Sequence, residues 1–157
     1  DCVPVLFWTA DGRRCGAVHA GWRGVVAGVL EHVPASAPGS VPRAWVGPAI
    51  GACCFEVGEE VVEALAERAA CLGGEFRRSA LARHVRRDAR RPHVALADWV
   101  RDELLALGVA RVHGWRRCTR CAPERLPSHR RSVAEGSPEG RMAAVVAPAR
   151  EPAGAGA

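Results

Sequence analysis

Four residue types are missing from the sequence. Its 157 residues contain no lysine, asparagine, glutamine or tyrosine, so all 22 basic residues are arginines. This bias is typical of a GC-rich genome, and it weakens the nucleic-acid interpretation that a net charge of +5 would otherwise favour. We therefore expect no nucleic-acid partner, and the arginine-rich run at 77–91 is interpreted as a solvated surface or loop.

Long hydrophobic runs are missing as well. No segment has the ~20 apolar residues of a transmembrane helix, and the first residues do not have the pattern of a secretory signal peptide. The seven cysteines are an odd number and, without such a signal, do not indicate a disulfide framework. One Cys-x-x-C motif occurs, at Cys118 and Cys121, with no second pair at zinc-ribbon spacing. We expect a cytoplasmic protein with reduced thiols and no membrane partner.

The apolar pattern predicts strands and helices in alternation. With 48% hydrophobic residues, the chain is able to bury a core. Apolar runs bounded by turn residues predict strands at 3–8, 15–19, 43–47, 109–115 and 141–147. Apolar stripes at helical spacing predict helices at 25–33, 59–70 and 96–107. Residues 73–92, which are rich in charge, are predicted to be an excursion or an irregular loop. The predicted class is α/β, with a domain at 1–147 and a disordered tail at 148–157.

The first two predicted strands bring a thiol and an imidazole close together. Cys2 precedes one strand, His19 ends the next, and the turn between the strands is short. Thiolate and neutral imidazole are good ligands for zinc or copper, and they are also the parts of a Cys–His nucleophilic pair. A buried free cysteine beside a hydrogen-bonded histidine would have the same spacing. The spacing alone leaves all three interpretations open.

Two further segments have the composition of binding loops. At 20–24, glycines flank a Trp-Arg pair at a helix start, which favours the approach of an anion that Arg23 would bind. The alternative is a tight turn with Trp22 packed in the core. A polar cluster formed by 118–119, 128–131 and 140–141 lies on predicted loops, where sites are often found. Its alternative is a charged surface loop.

Together, these segments closely resemble the multicopper polyphenol oxidase (laccase-domain) family, also known as purine nucleoside phosphorylases or peptidoglycan editing factors. The matching segments are DCVPVLF (1–7), AVHAGWRGVVAGVL (17–30), WVGPAIGACCFEVGEEV (45–61), RCT (117–119), SHRR (128–131) and GRMAAVV (140–146). The resemblance implies a layered mixed sheet covered by helices, similar to the catalytic domain of bacterial Rho-activating toxins. It also implies a single metal ion, zinc or copper, held by one cysteine and two histidines.

Carried over by position, the resemblance makes Cys2 the cysteine ligand and His19 the second histidine ligand, and these two are the expected catalytic residues. The family's first histidine lies in a Gln-x-His-Gly motif upstream of the segment that matches 1–7. The chain is therefore expected to lack the N-terminal part of the family's domain. His113, in a similar Val-His-Gly sequence, matches a different strand and is not expected to be a ligand. Ala95 stands where the family usually has an aspartate, with Asp98 about one helical turn away.

The resemblance implies a metal-dependent purine nucleoside phosphorylase and adenosine deaminase, a transferase and hydrolase acting on adenosine, inosine and methylthioadenosine. In phosphorolysis phosphate attacks the ribose C1′, and cationic groups must hold that anion. The candidate substrate-binding residues are Arg23, Ser128, Arg130 and Arg131. The expected partners are thus a purine nucleoside and phosphate. The alternatives are a Cys–His thiol hydrolase or peptidoglycan-editing enzyme, a copper polyphenol oxidase, and an inactive truncated fragment that binds metal weakly.

Overall fold

The structure, a computed structural model, describes residues 1–40, 42–87, 90–115, 117–124, 126–136 and 138–149. The strands are β1 (Val3–Trp8), β2 (Cys15–Ala20), β3 (Arg43–Val46), β4 (Val85–Arg86), β5 (His93–Val94) and β6 (Arg111–Gly114). The helices are α1 (Trp22–Val26), α2 (His32–Ala35), α3 (Glu59–Leu72), α4 (Gly74–His84), α5 (Leu96–Ala106) and α6 (His129–Glu135). A 3₁₀ turn at Val29–Glu31 lies between α1 and α2. Within these described ranges, no helix is both long and apolar enough to cross a membrane.

The larger sheet has the strand order β2-β1-β3-β6 within the described residues. β1 pairs antiparallel with both β2 and β3, whereas β3 and β6 run parallel. A parallel pair requires a long crossover, and α3, α4 and α5 lie in this one. β4 and β5 form a separate two-stranded ladder. The mixed sheet and its helices confirm the predicted α/β class.

One face of the sheet is buried beneath α5. Side chains alternate along β1, so Val3 and Val5 point into the core while Pro4 points to the opposite, half-buried face. α5 packs against β1, β3 and β6 and contributes Trp99, which is fully buried. Burying a large apolar side chain contributes about 1.5–3 kcal/mol. Cys2 has the same parity as Pro4 and therefore belongs to the face away from α5.

Three of the predicted strands and two of the predicted helices are confirmed with small changes at their ends. The confirmed strands are those predicted at 3–8, 15–19 and 43–47, and the confirmed helices are those predicted at 59–70 and 96–107. The strand predicted at 109–115 is shorter in the structure, where it covers Arg111–Gly114. These elements have long apolar runs or stripes with clear glycine or proline boundaries, which are the strongest local signals.

The single helix predicted at 25–33 is wrong, because the chain turns at Gly28. Gly28 adopts φ = 80°, a left-handed conformation that glycine takes without steric cost and that ends α1. The 3₁₀ turn and α2 follow. Val25, Leu30 and Val33 are nevertheless all fully buried, so the apolar stripe was real although it belongs to three short elements.

The loop predicted at 73–92 is also wrong, because most of this segment forms α4 and β4. Among many charged residues, α4 buries Phe76, Ala80 and His84, which lie four residues apart and so share one face. Phe76 packs edge-on against Trp99 of α5, with 5.2 Å between the ring centroids. Three buried residues are too few to give a recognisable helical pattern in the sequence, yet they anchor α4 to the core.

The strand predicted at 141–147 is not formed: residues 138–149 have no regular secondary structure. Met142 is 38% exposed and Val145 86% exposed, so the apolar run does not enter the core of the described residues. A run of this kind becomes a strand only beside a partner strand with free backbone groups. Within this segment, the Ala149 N–H donates to the carbonyl of Gly12. Except for 148–149, the tail predicted to be disordered lies outside the described residues.

Candidate active site

Cys2 and His19 lie on the same face at one end of the sheet. The β1–β2 register pairs Pro4 with His19 and Val3 with Ala20, which places Cys2 opposite Gly21. Because side chains alternate, the thiol, Pro4 and the imidazole all point to the same side. A Cβ atom at Gly21 would lie 3.1 Å from Cys2 Sγ and 3.9 Å from His19 Nε2. Glycine at this position leaves open the space that both groups border.

This space opens into a cavity of about 690 Å³. Aromatic and proline side chains form much of its wall, together with one polar cluster; the residues most relevant here are Trp45, Trp115, Pro127, His129, Glu139 and Arg141. In the polar cluster, Glu139 accepts from Arg141 at 2.8 Å and lies 2.9 Å from His129 Nδ1. The volume falls within the range of about 300–1,000 Å³ that is typical of small-molecule sites.

The carboxylate of Asp1 fixes the segment that carries Cys2. Thr119 Oγ1 donates to Asp1 Oδ1 at 2.5 Å, and Asp1 Oδ2 accepts from Ser128 Oγ at 3.1 Å and from the Arg130 N–H at 2.6 Å. Ser128 also caps α6, because its hydroxyl accepts from the Arg131 N–H at 3.3 Å. Thus the segment after β6 and the start of α6 hold the chain directly in front of the thiol.

The structure brings Ser128 and Arg130 close to Cys2, through Asp1. The guanidinium of Arg130 donates to the Glu56 carbonyl at 3.2 Å and lies 5.7 Å from the Phe55 ring centroid. Arg130, Phe55 and Cys2 also border a smaller pocket of about 140 Å³. Their contribution to substrate binding stays a prediction.

The other two predicted anion ligands are placed differently. Arg23 is exposed, and its guanidinium stacks 4.5 Å from the ring centroid of Trp22, whose side chain borders the smaller pocket beside Cys2. Arg131 donates to the carbonyls of Thr119, Arg120 and Leu126 at 2.8–3.0 Å. The Arg131 guanidinium therefore stabilises the segment after β6, whereas Arg23 is an exposed cation.

Cys2 and His19 fit a metal by donor chemistry, since thiolate sulfur and imidazole nitrogen are the ligands that zinc and copper prefer. Gly21 leaves the space between them open. Within the part of the chain that the structure describes, no third His, Cys, Asp or Glu joins them in a compact ligand group. His113 is exposed in β6, where it pairs with Trp45. The described residues therefore provide two ligands for such a site.

A second cluster of cysteines was not recognised in the sequence. The Sγ atoms of Cys53, Cys54, Cys118 and Cys121 all lie within 4.8 Å of one another. Burial and the neighbouring thiols raise the pKa of Cys53 to about 11 and also raise that of Cys54. Burial acts in the same direction on Cys118, but the nearby backbone of Gly51 and Cys121 and the Cys53 thiol outweigh it and lower the pKa to about 7. The adjacent Cys-Cys pair and the Cys-x-x-Cys motif were the available signal.

The fold and site define a mixed α/β protein with a thiol–imidazole pair at the mouth of a cavity of small-molecule size. Residues 1–149 match the family of multi-copper polyphenol oxidoreductase laccases. The chain belongs to this family, as the resemblance in its motifs implies.

Proteins of known sequence and structure agree with this assignment. The chain is 41% identical to a purine nucleoside phosphorylase of Pseudomonas aeruginosa, with 93% of this chain and 57% of the relative aligned. It is 38% identical to the purine nucleoside phosphorylase YfiH of Escherichia coli, with 93% and 56% aligned. The crystal structure of YlmD from Geobacillus stearothermophilus matches with a TM-score of 0.71 and 31% identity, over 85% of this chain and 50% of that one. The chain thus spans 50–57% of the length of these relatives.

Proposed function

We propose that this protein contributes to a metal-dependent purine nucleoside phosphorylase, with Cys2 and His19 as two of the metal ligands. The observation that carries the proposal is the pairing of thiol and imidazole across Gly21, at the mouth of the large cavity. The names of the relatives support a nucleoside and phosphate as substrates. The apolar wall, including Trp45 and Trp115, suits a purine ring, which binds by stacking on aromatic side chains.

The residues of this chain would bind and orient the reactants. A bound metal would supply a Lewis acid at the thiol–imidazole pair. We assign phosphate binding to Arg23, which is exposed, and to Arg130. Ser128 would contact phosphate only by redirecting the hydroxyl proton that it donates to Asp1 in this structure. Asp1 would position Cys2 through its three hydrogen bonds. Arg131 would act by bracing the segment after β6.

The third protein ligand is proposed to come from outside the described residues, because none of those residues completes the pair. The relatives extend well beyond the aligned region, which leaves room for such a ligand in the family. We further propose adenosine deamination at the same site, with zinc rather than copper as the ion. Oxidation of phenols would require redox-active copper, and a single copper ion lacks the multinuclear cluster that reduces oxygen to water.

The test is to incubate the metal-loaded protein with inosine and phosphate and to measure hypoxanthine and ribose 1-phosphate by chromatography. Cys2→Ala and His19→Ala should each reduce product formation by at least tenfold, about 1.4 kcal/mol in the barrier. Cys71→Ser is the matched control, since this exposed cysteine lies in α3. Unchanged rates in both variants would refute the site. Conversion of adenosine to inosine without phosphate tests deamination separately.

A thiol hydrolase or peptidoglycan-editing enzyme is the second candidate, because Cys2 is exposed beside His19. In that case Cys2 would be the nucleophile and His19 the general base. The two functions respond oppositely to two treatments. Hydrolysis of a thioester or peptidoglycan fragment that persists in chelator, but is lost on alkylation of Cys2, would favour the hydrolase. Phosphorolysis that is lost in chelator and restored by zinc would favour the phosphorylase.

A further inference from the structure

The four clustered thiols come from two segments that follow neighbouring parallel strands. Cys53 and Cys54 lie in the turn after β3, and Cys118 and Cys121 lie in the turn after β6. A bridge between Ala49 and Cys118 continues the β3–β6 pairing, and the Thr119 N–H donates to the Ala49 carbonyl at 3.0 Å. The ends of parallel strands meet at one edge of a sheet, so the fold itself brings the two cysteine pairs together.

The spacing of the sulfur atoms matches a tetrahedral metal site. With Zn–S bonds of about 2.3 Å, two sulfurs of a regular tetrahedron lie about 3.8 Å apart. Cys121 Sγ lies 3.7 Å from Cys53 Sγ and 3.4 Å from Cys54 Sγ, and no sulfur pair in the cluster exceeds 4.8 Å. Small adjustments would therefore bring all four sulfurs to bonding distance of one ion.

The surroundings leave room for four sulfur ligands. A Cβ at Gly51 would lie 3.1 Å from Cys118 Cβ and 3.3 Å from Cys53 Sγ, so a larger residue there would displace both cysteines. Cys53 and Cys121 are exposed, which gives an ion a path from the solvent.

We propose that the four clustered thiols bind one Zn²⁺ as thiolates, in a structural site separate from Cys2 and His19. Each sulfur forms one Zn–S bond, and the thiol protons are released to the solvent, with no oxidation or reduction. Cysteine-only tetrahedral sites are closed and structural, because no coordination position stays free for water or substrate. Soft thiolates exclude magnesium and calcium.

The zinc would join the two turns that support the candidate active site. Cys118 directly precedes Thr119, whose hydroxyl holds Asp1 in front of Cys2. Cys54 is adjacent to Phe55, which borders the small pocket beside Cys2. Fixing these turns to each other would therefore fix the position of the catalytic thiol. Metal binding of this kind contributes directly to folding stability.

The experiment is a zinc analysis of the purified protein after gel filtration in EDTA under reducing conditions. We expect one zinc per chain in the unmodified protein, in Cys2→Ala and in Cys71→Ser, because the described residues give the Cys2–His19 site only two ligands and EDTA removes an ion held so weakly. Cys54→Ser and Cys121→Ser should retain less than about a tenth of that amount, because each removes one of the four ligands. The proposal would be overturned if these two variants contained as much zinc as the unmodified protein, or if Cys2→Ala lost its zinc.

A spectroscopic measurement on the unmodified protein decides the question even where a variant does not fold. Substitution with Co²⁺ should give the intense visible absorption and the sulfur-to-metal charge-transfer bands of a tetrahedral tetrathiolate. Spectra typical of octahedral or nitrogen-rich coordination would contradict it. So would a reduced protein that binds neither ion, or disulfides within the cluster found by mass spectrometry in freshly purified protein.

Discussion

The hydroxyl of Thr119 donates to the carboxylate of Asp1, although the two residues are 118 positions apart in the chain. Thr119 is fully buried, and its hydroxyl replaces one of the waters that would otherwise solvate the carboxylate. The hydroxyl of Ser128 and the backbone N–H of Arg130 provide two further donors. An ionised carboxylate with these partners is a rigid support for the residue that follows it.

Thr119→Val should destabilise the protein by about 1.5–3 kcal/mol, since it keeps the side-chain volume and removes a hydrogen bond to a charged group. Urea unfolding followed by circular dichroism measures the change. Ser36→Ala is the control, because the exposed Ser36 hydroxyl bonds only to the backbone of its own helical turn; it should stay within about 0.5 kcal/mol. If the two variants are equally stable, the hydrogen bond to Asp1 has no structural importance.

Arg68→Met should cost about 3–5 kcal/mol, because the buried carboxylate of Glu103 loses its cationic partner and keeps only a neutral donor, the Trp99 Nε1–H. The Arg68 guanidinium donates to Glu103 Oε1 at 2.6 and 2.9 Å, and Glu103 is fully buried. Arg87→Met removes a similar bidentate contact to Glu59, but both of those residues are exposed, so little change is expected. Thermal and urea unfolding of the two variants side by side measure the difference, and equal losses would contradict the importance of burial.

Gly21→Ala should block the candidate active site without disturbing the fold. The φ of Gly21 is −72°, which alanine adopts easily, but the new methyl group would lie 3.1 Å from Cys2 Sγ. We expect at least a tenfold loss of phosphorylase activity, about 1.4 kcal/mol, with an unchanged melting temperature. Gly114→Ala is the control, since a Cβ there would have no atom closer than 3.9 Å. Full activity in Gly21→Ala would place the reaction elsewhere.

Stability should fall as the pH drops below about 6.5, in part because of His84. Burial lowers the pKa of His84, although Asp102 and Asp98 act in the opposite direction. His84 Nε2 lies 3.3 Å from Asp102 Oδ2 but has no hydrogen-bond partner among the described groups. The unfolded chain therefore binds a proton at higher pH than the folded protein, so acid favours unfolding and the loss is complete below the folded-state pKa.

The measurement is the free energy of unfolding at several pH values between about 5 and 8. His84→Gln should make the dependence on pH shallower. His32→Gln should leave it unchanged, because His32 is exposed on α2. A slope that is identical in the two variants would show that other groups cause the loss of stability in acid.

The fold was predictable wherever local sequence and tertiary packing agree. The uninterrupted apolar run of β1 and the stripe of α5 each determine their own structure. The α4 helix was not predictable, because its face consists of Phe76, Ala80 and His84 and is completed only by Trp99 from another helix. The prediction at 141–147 failed for the opposite reason: the run has the composition of a strand, but strand formation depends on a partner elsewhere in the chain.

The candidate site was predictable to a similar extent. Cys2 and His19 are close in sequence, so one hairpin brings them together and motif resemblance identifies them. The cysteine cluster requires the parallel pairing of β3 with β6, which no local spacing reveals. The distance between Cys54 and Cys118 in the sequence does not fit a compact zinc motif. Only the sheet order makes the two cysteine pairs neighbours.

The parallel pairing of β3 with β6 also has a kinetic consequence. The long crossover through α3, α4 and α5 must close before Thr119 and Ser128 reach Asp1, and contacts between distant parts of a chain slow folding. We expect the neighbourhood of Cys2 to be among the last regions to form. Pulsed alkylation during refolding measures when each thiol becomes protected. We expect Cys118, which directly precedes Thr119, to become protected late, after the amides of β1 and β2 have stopped exchanging. The residues proposed to do the chemistry would then assemble only once most of the chain has reached its native arrangement.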